Sequence, residues 1–172
     1  MSRTGRSQTR RRDDEVMDAV GTMHLAQINI GRLKYARDDD RLAGWRDNVN
    51  RINALAESHP GFVWRLTGAE GQETGRRYFD DERIVTNYSV WETFETFRSF
   101  AYGSEHKDFL RQRHDWFEPI EGHFAMWWSP VGEVPSIFTG RSKLQKLREF
   151  GPSRDTFRPQ DREFLRFGSA TR

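Results

Sequence analysis

At 172 residues, with 35% hydrophobic content and a formal net charge of only +2, the chain is sized for one globular domain with tails. It has no cysteine, which excludes a disulfide framework, a thiolate nucleophile and a cysteine-ligated metal. No apolar run approaches the roughly 20 residues of a membrane span, and the N-terminus lacks the apolar stretch of a signal peptide, so a cytoplasmic protein without membrane contact is expected.

The first residues carry Arg3, Arg6, Arg10, Arg11 and Arg12 and no acid. They read as a disordered basic leader over 1–22 rather than a nucleic-acid-binding arm, and Met23 stands where a start codon would place the domain. Six tryptophans and thirteen phenylalanines predict an aromatic core, since each ring buries about 150–250 Å².

From His24 to Leu33 the residues alternate, with Gln27 and Asn29 on one side and Ala26, Ile28 and Ile30 on the other, which predicts the first strand. Asp38 to Asp40 offer helix caps. Leu42, Trp45, Val49, Ile52, Leu55 and Ala56 then follow with helical spacing until His59-Pro60-Gly61. Gly61 to Thr67 predicts a second strand, and Gly68 and Gly71 mark a turn after it. Tyr78 and Phe79 read as the end of a return strand. Arg83 to Trp91, rich in β-branched and aromatic residues, reads as the third strand. A helix over Glu92 to Ala101 breaks at Gly103, with Ser104 the expected cap of the next one. His123 to Val131 predicts the fourth strand, Pro135-Ser136 opens a further helix, and Gly151-Pro152 ends it.

The order β-α-β-β-α-β predicts an α+β, ferredoxin-like antiparallel sheet with helices on one face. The domain spans 23–135, a C-terminal helix and extension packed on it span 136–157, and 158–172 form a tail. The strands are nevertheless apolar on both sides, which requires cover for the second face. A second copy of the chain supplies that cover in the simplest scheme.

One segment, His106 to Phe117, combines an apolar stripe with charge. At about 100° per residue, Phe109, Leu110, Trp116 and Phe117 share one side, with Arg113 near its centre and His106 beside it. A cation aimed at a buried face needs a partner, because an unpaired buried charge costs several kcal/mol. Candidates are a carboxylate such as Glu92 or Glu118, a backbone acceptor, or a ligand.

The segments MHLAQINIGRL, RINALAESHPGFVWRL, SVWETFETFRSFAYGSEHKDFLRQRHDWFEP and FAMWWSPVG resemble an uncharacterised bacterial family, domain of unknown function 3291. That family sits among the dimeric α/β-barrel proteins, beside antibiotic-biosynthesis-type monooxygenases. The resemblance covers about 23–157. The chain departs from the family pattern at Gly132-Glu133-Val134-Pro135, where members tend to carry a histidine between glycine and proline.

The resemblance implies a homodimer with a small-molecule cavity between helices and sheet. His106 and Arg113 would face that cavity as catalytic candidates, and Asn29, Arg65, Tyr88, Trp91 and Trp116 as substrate-binding ones. Asn29 is similar in position to the first-strand asparagine of cofactor-free monooxygenases and haem-degrading relatives, whose downstream tryptophan and histidine fall here on Phe100 and Leu110.

The implied activity is a cofactor-independent monooxygenase acting on an aromatic or polyketide-like substrate. In that reading Arg113 stabilises negative charge and His106 moves a proton. Two alternatives stand beside it: a non-catalytic small-molecule-binding dimer, and haem held by His106. For the single residues, Arg113 reads equally as an internal ion pair or a snorkelling side chain, and His106 as a histidine hydrogen-bonded near its helix start. No metal-ligand spacing, phosphate loop or catalytic triad is present in the sequence.

Overall fold

The computed structural model describes residues 23–67 and 78–166. The leader, the turn containing Gly68 and Gly71, and the end of the tail lie outside the described residues. The strands are β1 (Met23–Leu33), β2 (Phe62–Arg65), β3 (Ile84–Trp91), β4 (Phe117–Glu118) and β5 (Phe124–Pro130). The helices are α1 (Ala43–Glu57), α2 (Phe94–Ala101), α3 (Ser104–Trp116) and α4 (Ile137–Phe150).

β1 is the centre of a five-stranded sheet. It pairs antiparallel with β3 along one side, and β5 and the short β4 share its other side. β2 lies outside β3, also antiparallel. The order β2-β3-β1-β5 is the ferredoxin-like arrangement expected from the element sequence.

Local chemistry sets the helix starts. Asp39 caps a 3₁₀ turn ahead of α1 by accepting from the Arg41 amide, and its hydrogen bonds with the Arg41 guanidinium hold its carboxyl down to about 2. Thr93 and Thr96 cap each other reciprocally at the start of α2. The cap of α3 is Gly103, and Ser104 is already its first helical residue, so the helix starts one position earlier than the sequence suggested. Phe117 leaves the helix and enters β4 opposite Leu33. Tyr78 and Phe79 are helical rather than extended, and the Tyr78 ring stands edge-on to Phe138 of α4 at 5.2 Å.

Alternation along the strands gives two unlike faces. One carries Ala26, Ile28, Ile30, Tyr88, Val90 and Trp127, packed against Ile137, Leu144 and Leu147 of α4. Gly140 permits this approach, since a Cβ there would lie 2.7 Å from Cδ1 of Ile28. The other face carries Leu25, Trp91 and Met126 beneath Ala56 of α1 and Phe97 of α2. Further along, Leu33 packs with Leu42 and with Trp116 of α3. The face expected to meet a second copy is therefore covered by the chain's own C-terminal helix. One helix with a small residue at the crossing satisfies the same burial requirement.

Gly151, at φ +77°, turns the chain out of α4. Lys143 and Lys146 both bind Asp155. Phe157 exchanges two backbone hydrogen bonds with Met126, at 2.8 and 2.9 Å. The Trp128 indole then donates to the Phe164 carbonyl at 2.9 Å. The extension is thus fastened along the β5 edge of the sheet. At the opposite end, Arg32 and Arg83 share Asp81 and Glu118, tying β4 and the turn before β3 to β1.

Candidate functional site

The face beneath α1, α2 and α3 is apolar at its margins and polar in the middle. Gln27 and Asn29 of β1 lie directly opposite Ser89 and Asn87 of β3. The Gln27 amide donates to Ser89 Oγ at 2.7 Å and to Asn87 Oδ1 at 3.2 Å, and Asn29 donates to Gln27 Oε1 at 3.4 Å. The Trp91 indole also donates to Ser89 Oγ, at 2.9 Å. Ser89 is therefore a shared acceptor for two buried donors.

Gln27 is 2% exposed and Ser89 is buried, yet Asn87 is exposed and Asn29 half-buried. An exposed residue at the middle of a sheet with helices on that face requires an opening above it. α1 accounts for the opening, because it leans on β2 and α3 rather than squarely over β1 and β3. The result is a crevice with an amide floor.

Aromatic rings cluster at the Trp91 end of the same face. Phe100 of α2 stacks on Trp91 with centroids 5.2 Å apart, and His106 lies against Phe100 at 4.7 Å. His59 meets both Trp91 and Phe100 edge-on at 5.8 Å. The His106 Nδ1 is 2.9 Å from the Ala101 carbonyl. A carbonyl only accepts, so Nδ1 carries the proton and Nε2 is left as a basic nitrogen. Burial pushes the His106 pKa below its ordinary value, against a smaller upward pull from that hydrogen bond. The ring is thereby kept neutral, and it also closes the corner between α2 and α3.

Other expected site residues are distributed differently. Arg65 does stand on the crevice side, opposite Ser89, but its guanidinium is bound to Glu57 at 2.5 Å. Trp91 is buried in the core with Leu25, Phe97 and Met126. Trp116 packs at the start of α1 with Leu33 and Leu42, beyond the amide floor. Tyr88 is on the opposite face under α4, where its hydroxyl lies 3.4 Å from the Ser136 carbonyl and burial pushes its pKa upward.

Arg113 departs most from expectation. It is exposed, and among the described residues it makes no ion pair. Phe117 is in a strand and Leu110 is 38% exposed, so neither helps define the buried arc. Removing them moves the centre of that arc by about 50° towards Phe109 and Trp116, and Arg113 falls on its flank within reach of water.

Sequence reasoning missed Ser89, Asn87 and the role of Gln27. A signal was available: in β3 the alternation Val85, Asn87, Ser89, Trp91 inserts two polar residues on the face that also carries Gln27 and Asn29. Polar residues at the centre of an otherwise apolar face mark either a buried network or an opening. Here they mark both.

The sequence matches the model of the domain of unknown function (DUF3291) over residues 24–164, and the chain belongs to that family. No curated protein matches it. Among solved structures it is similar to NE2512 of Nitrosomonas europaea, a protein of unknown function, at 9% identity and TM-score 0.43, covering 67% of this chain and 98% of that one. It is similar to SnoaB of Streptomyces nogalater, a cofactor-independent oxygenase, at 14% identity and TM-score 0.40, covering 66% and 96%. A monooxygenase from the gene ActVA-Orf6 of Streptomyces coelicolor, solved with Nanaomycin D, aligns at 16% identity and TM-score 0.38, covering 71% and 99%. The fold itself rests on the strand order described above. No described helix is long and apolar enough to cross a membrane.

Proposed function

We propose that the crevice binds a flat, hydroxylated aromatic or polyketide-like molecule and that the protein oxidises it with molecular oxygen without a cofactor. The observation that carries this reading is the exposed Asn87 opposite the half-buried Asn29, an amide pair on the sheet face whose far end carries the stacked Trp91 and Phe100 rings. Amides at that spacing suit phenolic or carbonyl oxygens, and the stacked rings suit a planar body. His106, neutral and with a free basic nitrogen, is the candidate to take a proton from an activated C–H. The resulting carbanion reduces oxygen, so that a methylene carbon and O₂ give a ketone and water.

The test is oxygen uptake with an anthrone-type phenol. Saturable uptake with one ketone formed per O₂ is expected. It should be strongly reduced in Asn29→Ala and in His106→Gln, which keeps a donor for the Ala101 carbonyl but loses the base. Uptake no faster than in buffer sinks the enzymatic reading.

A specific observation favours a second reading, binding without turnover. Arg113 faces water and Arg65 is neutralised by Glu57, so negative charge developing in the crevice meets amides and no free guanidinium among the described residues. In that case the phenol binds to the same residues and is recovered unchanged.

Pairing into a homodimer belongs to the same proposal. Phe138 and Phe150 on the outside of α4, at 65% and 80% exposure, supply apolar surface for it. Sedimentation should give twice the 20.3 kDa chain mass; a monomer at all accessible concentrations removes this part of the reading.

A further inference from the structure

A second concavity lies on the far side of α2, away from the crevice. It is an open cleft of about 950 Å³ between α2 and the C-terminal segment, including the 3₁₀ turn at Arg162–Phe164. Arg98 lines it from α2, and Arg162 and Arg166 line it from the turn, against one carboxylate, Glu95. Arg98 and Arg162 make no ion pair among the described residues. Guanidinium groups gathered from two elements around one cleft raise the local positive potential and favour an anion there.

The cleft is built on fixed parts. Its far wall is held by the Trp128 to Phe164 hydrogen bond, by the Phe157 bridge to β5, and by Arg158 bound to Asp161. Phe94 and Leu165 rest on the cluster around Trp91, Phe97 and Phe157, which gives the cleft an apolar floor. Tyr102, 65% exposed, stands at its rim with no core to pack into.

We propose that this cleft binds an amphipathic organic anion, with a phosphate or carboxylate head between Arg98 and Arg162 and an apolar body over Phe94 and Leu165. A guanidinium fork recognises such heads through paired, charge-assisted hydrogen bonds, and the apolar floor distinguishes the ligand from a simple inorganic ion. The site is separate from the amide crevice and does not depend on the activity proposed for it.

Titration calorimetry with n-octyl phosphate, inorganic phosphate and n-octanol tests the assignment on the full chain. Saturable 1:1 binding of octyl phosphate is expected, at least tenfold tighter than either fragment. The exposed double variant Arg98→Gln/Arg162→Gln should weaken it tenfold or more with an unchanged melting temperature, while Asn29→Ala leaves it unaltered. Binding of octyl phosphate by the double variant within twofold of the parent overturns the proposal. So does inorganic phosphate binding as tightly as the octyl ester, which would mark an ordinary basic surface.

Discussion

Replacing Ser89 by alanine removes the acceptor at which the two buried donors beneath the helices converge. Gln27 Nε2 keeps Asn87 Oδ1 at 3.2 Å as a second acceptor, so its loss is partial, about 0.5–1 kcal/mol. The Trp91 indole donates only to Ser89 among the described residues, and Trp91 is 1% exposed. Orphaning that N–H costs about 1–3 kcal/mol in desolvation that is no longer compensated. The sum is about 1.5–4 kcal/mol, equivalent to a fall of roughly 3–16 °C in Tm for a chain of this size. Urea unfolding should show a lower midpoint with an unchanged slope. A double-mutant cycle with Trp91→Phe isolates the cause, because deleting donor and acceptor together removes the orphan. The double variant should be less destabilised than the sum of the singles by about 1 kcal/mol. A Ser89→Ala loss below about 0.5 kcal/mol, or strict additivity in the cycle, would refute the shared-acceptor argument and with it the picture of a rigid floor.

The remaining predictions concern titration and two single side chains. His106 and His123 are both held below their ordinary pKa chiefly by burial. Unfolding releases each to take up a proton below about pH 6.5, so stability is full above that pH and declines as the pH falls towards the folded-state values. Urea midpoints between pH 8 and pH 5 should trace this decline, and His106→Gln should flatten part of it. Thr86 carries a buried hydroxyl with no hydrogen-bond partner among the described residues; Thr86→Val should raise stability by about 1 kcal/mol, and a loss of stability would mean that the hydroxyl is satisfied. Arg113→Met should change stability by less than about 0.5 kcal/mol. Because the Arg113 charge contributes to lowering the His123 pKa, the same change should shift the His123 titration upward by NMR, and an unchanged titration would place Arg113 elsewhere.

Much of the fold was legible because its signals are local. Asp39 and Ser136 each bind a backbone amide at a helix start, Gly151 turns the chain out of α4, and alternation located β1, β3 and β5 to within a residue or two. The site was legible only in part. Alternation assigned Gln27 and Asn29 to one face, but which face each of Tyr88, Arg65 and Trp91 takes follows from strand register, and register is a non-local property. Arg113 shows the converse limit. A helical projection weights Phe117 and Leu110 as if they belonged to the buried arc, although one leaves the helix and the other faces water. Two residues out of four were enough to rotate the inferred face onto a solvated arginine.

Two-sided burial of the sheet illustrates why a correct physical requirement can still have the wrong object attached to it. Ile28, Tyr88 and Trp127 are apolar on a face that α1, α2 and α3 do not reach, so some element had to cover them. Periodicity states that a face is buried and is silent on whether the cover comes from the same chain. The discriminating residue is Gly140, placed among Ile137, Leu144 and Leu147 on one side of α4. Glycine inside a helix costs about 1 kcal/mol relative to alanine, a cost that is offset where the missing Cβ lets two backbones approach. Ile28 and Tyr88 occupy that space, with their side-chain atoms 2.7 and 3.2 Å from where the Cβ would be. A small residue centred in the apolar stripe of a terminal helix therefore indicates close docking within the chain. A pairing of two chains that keeps this docking must then use surface outside this sheet face.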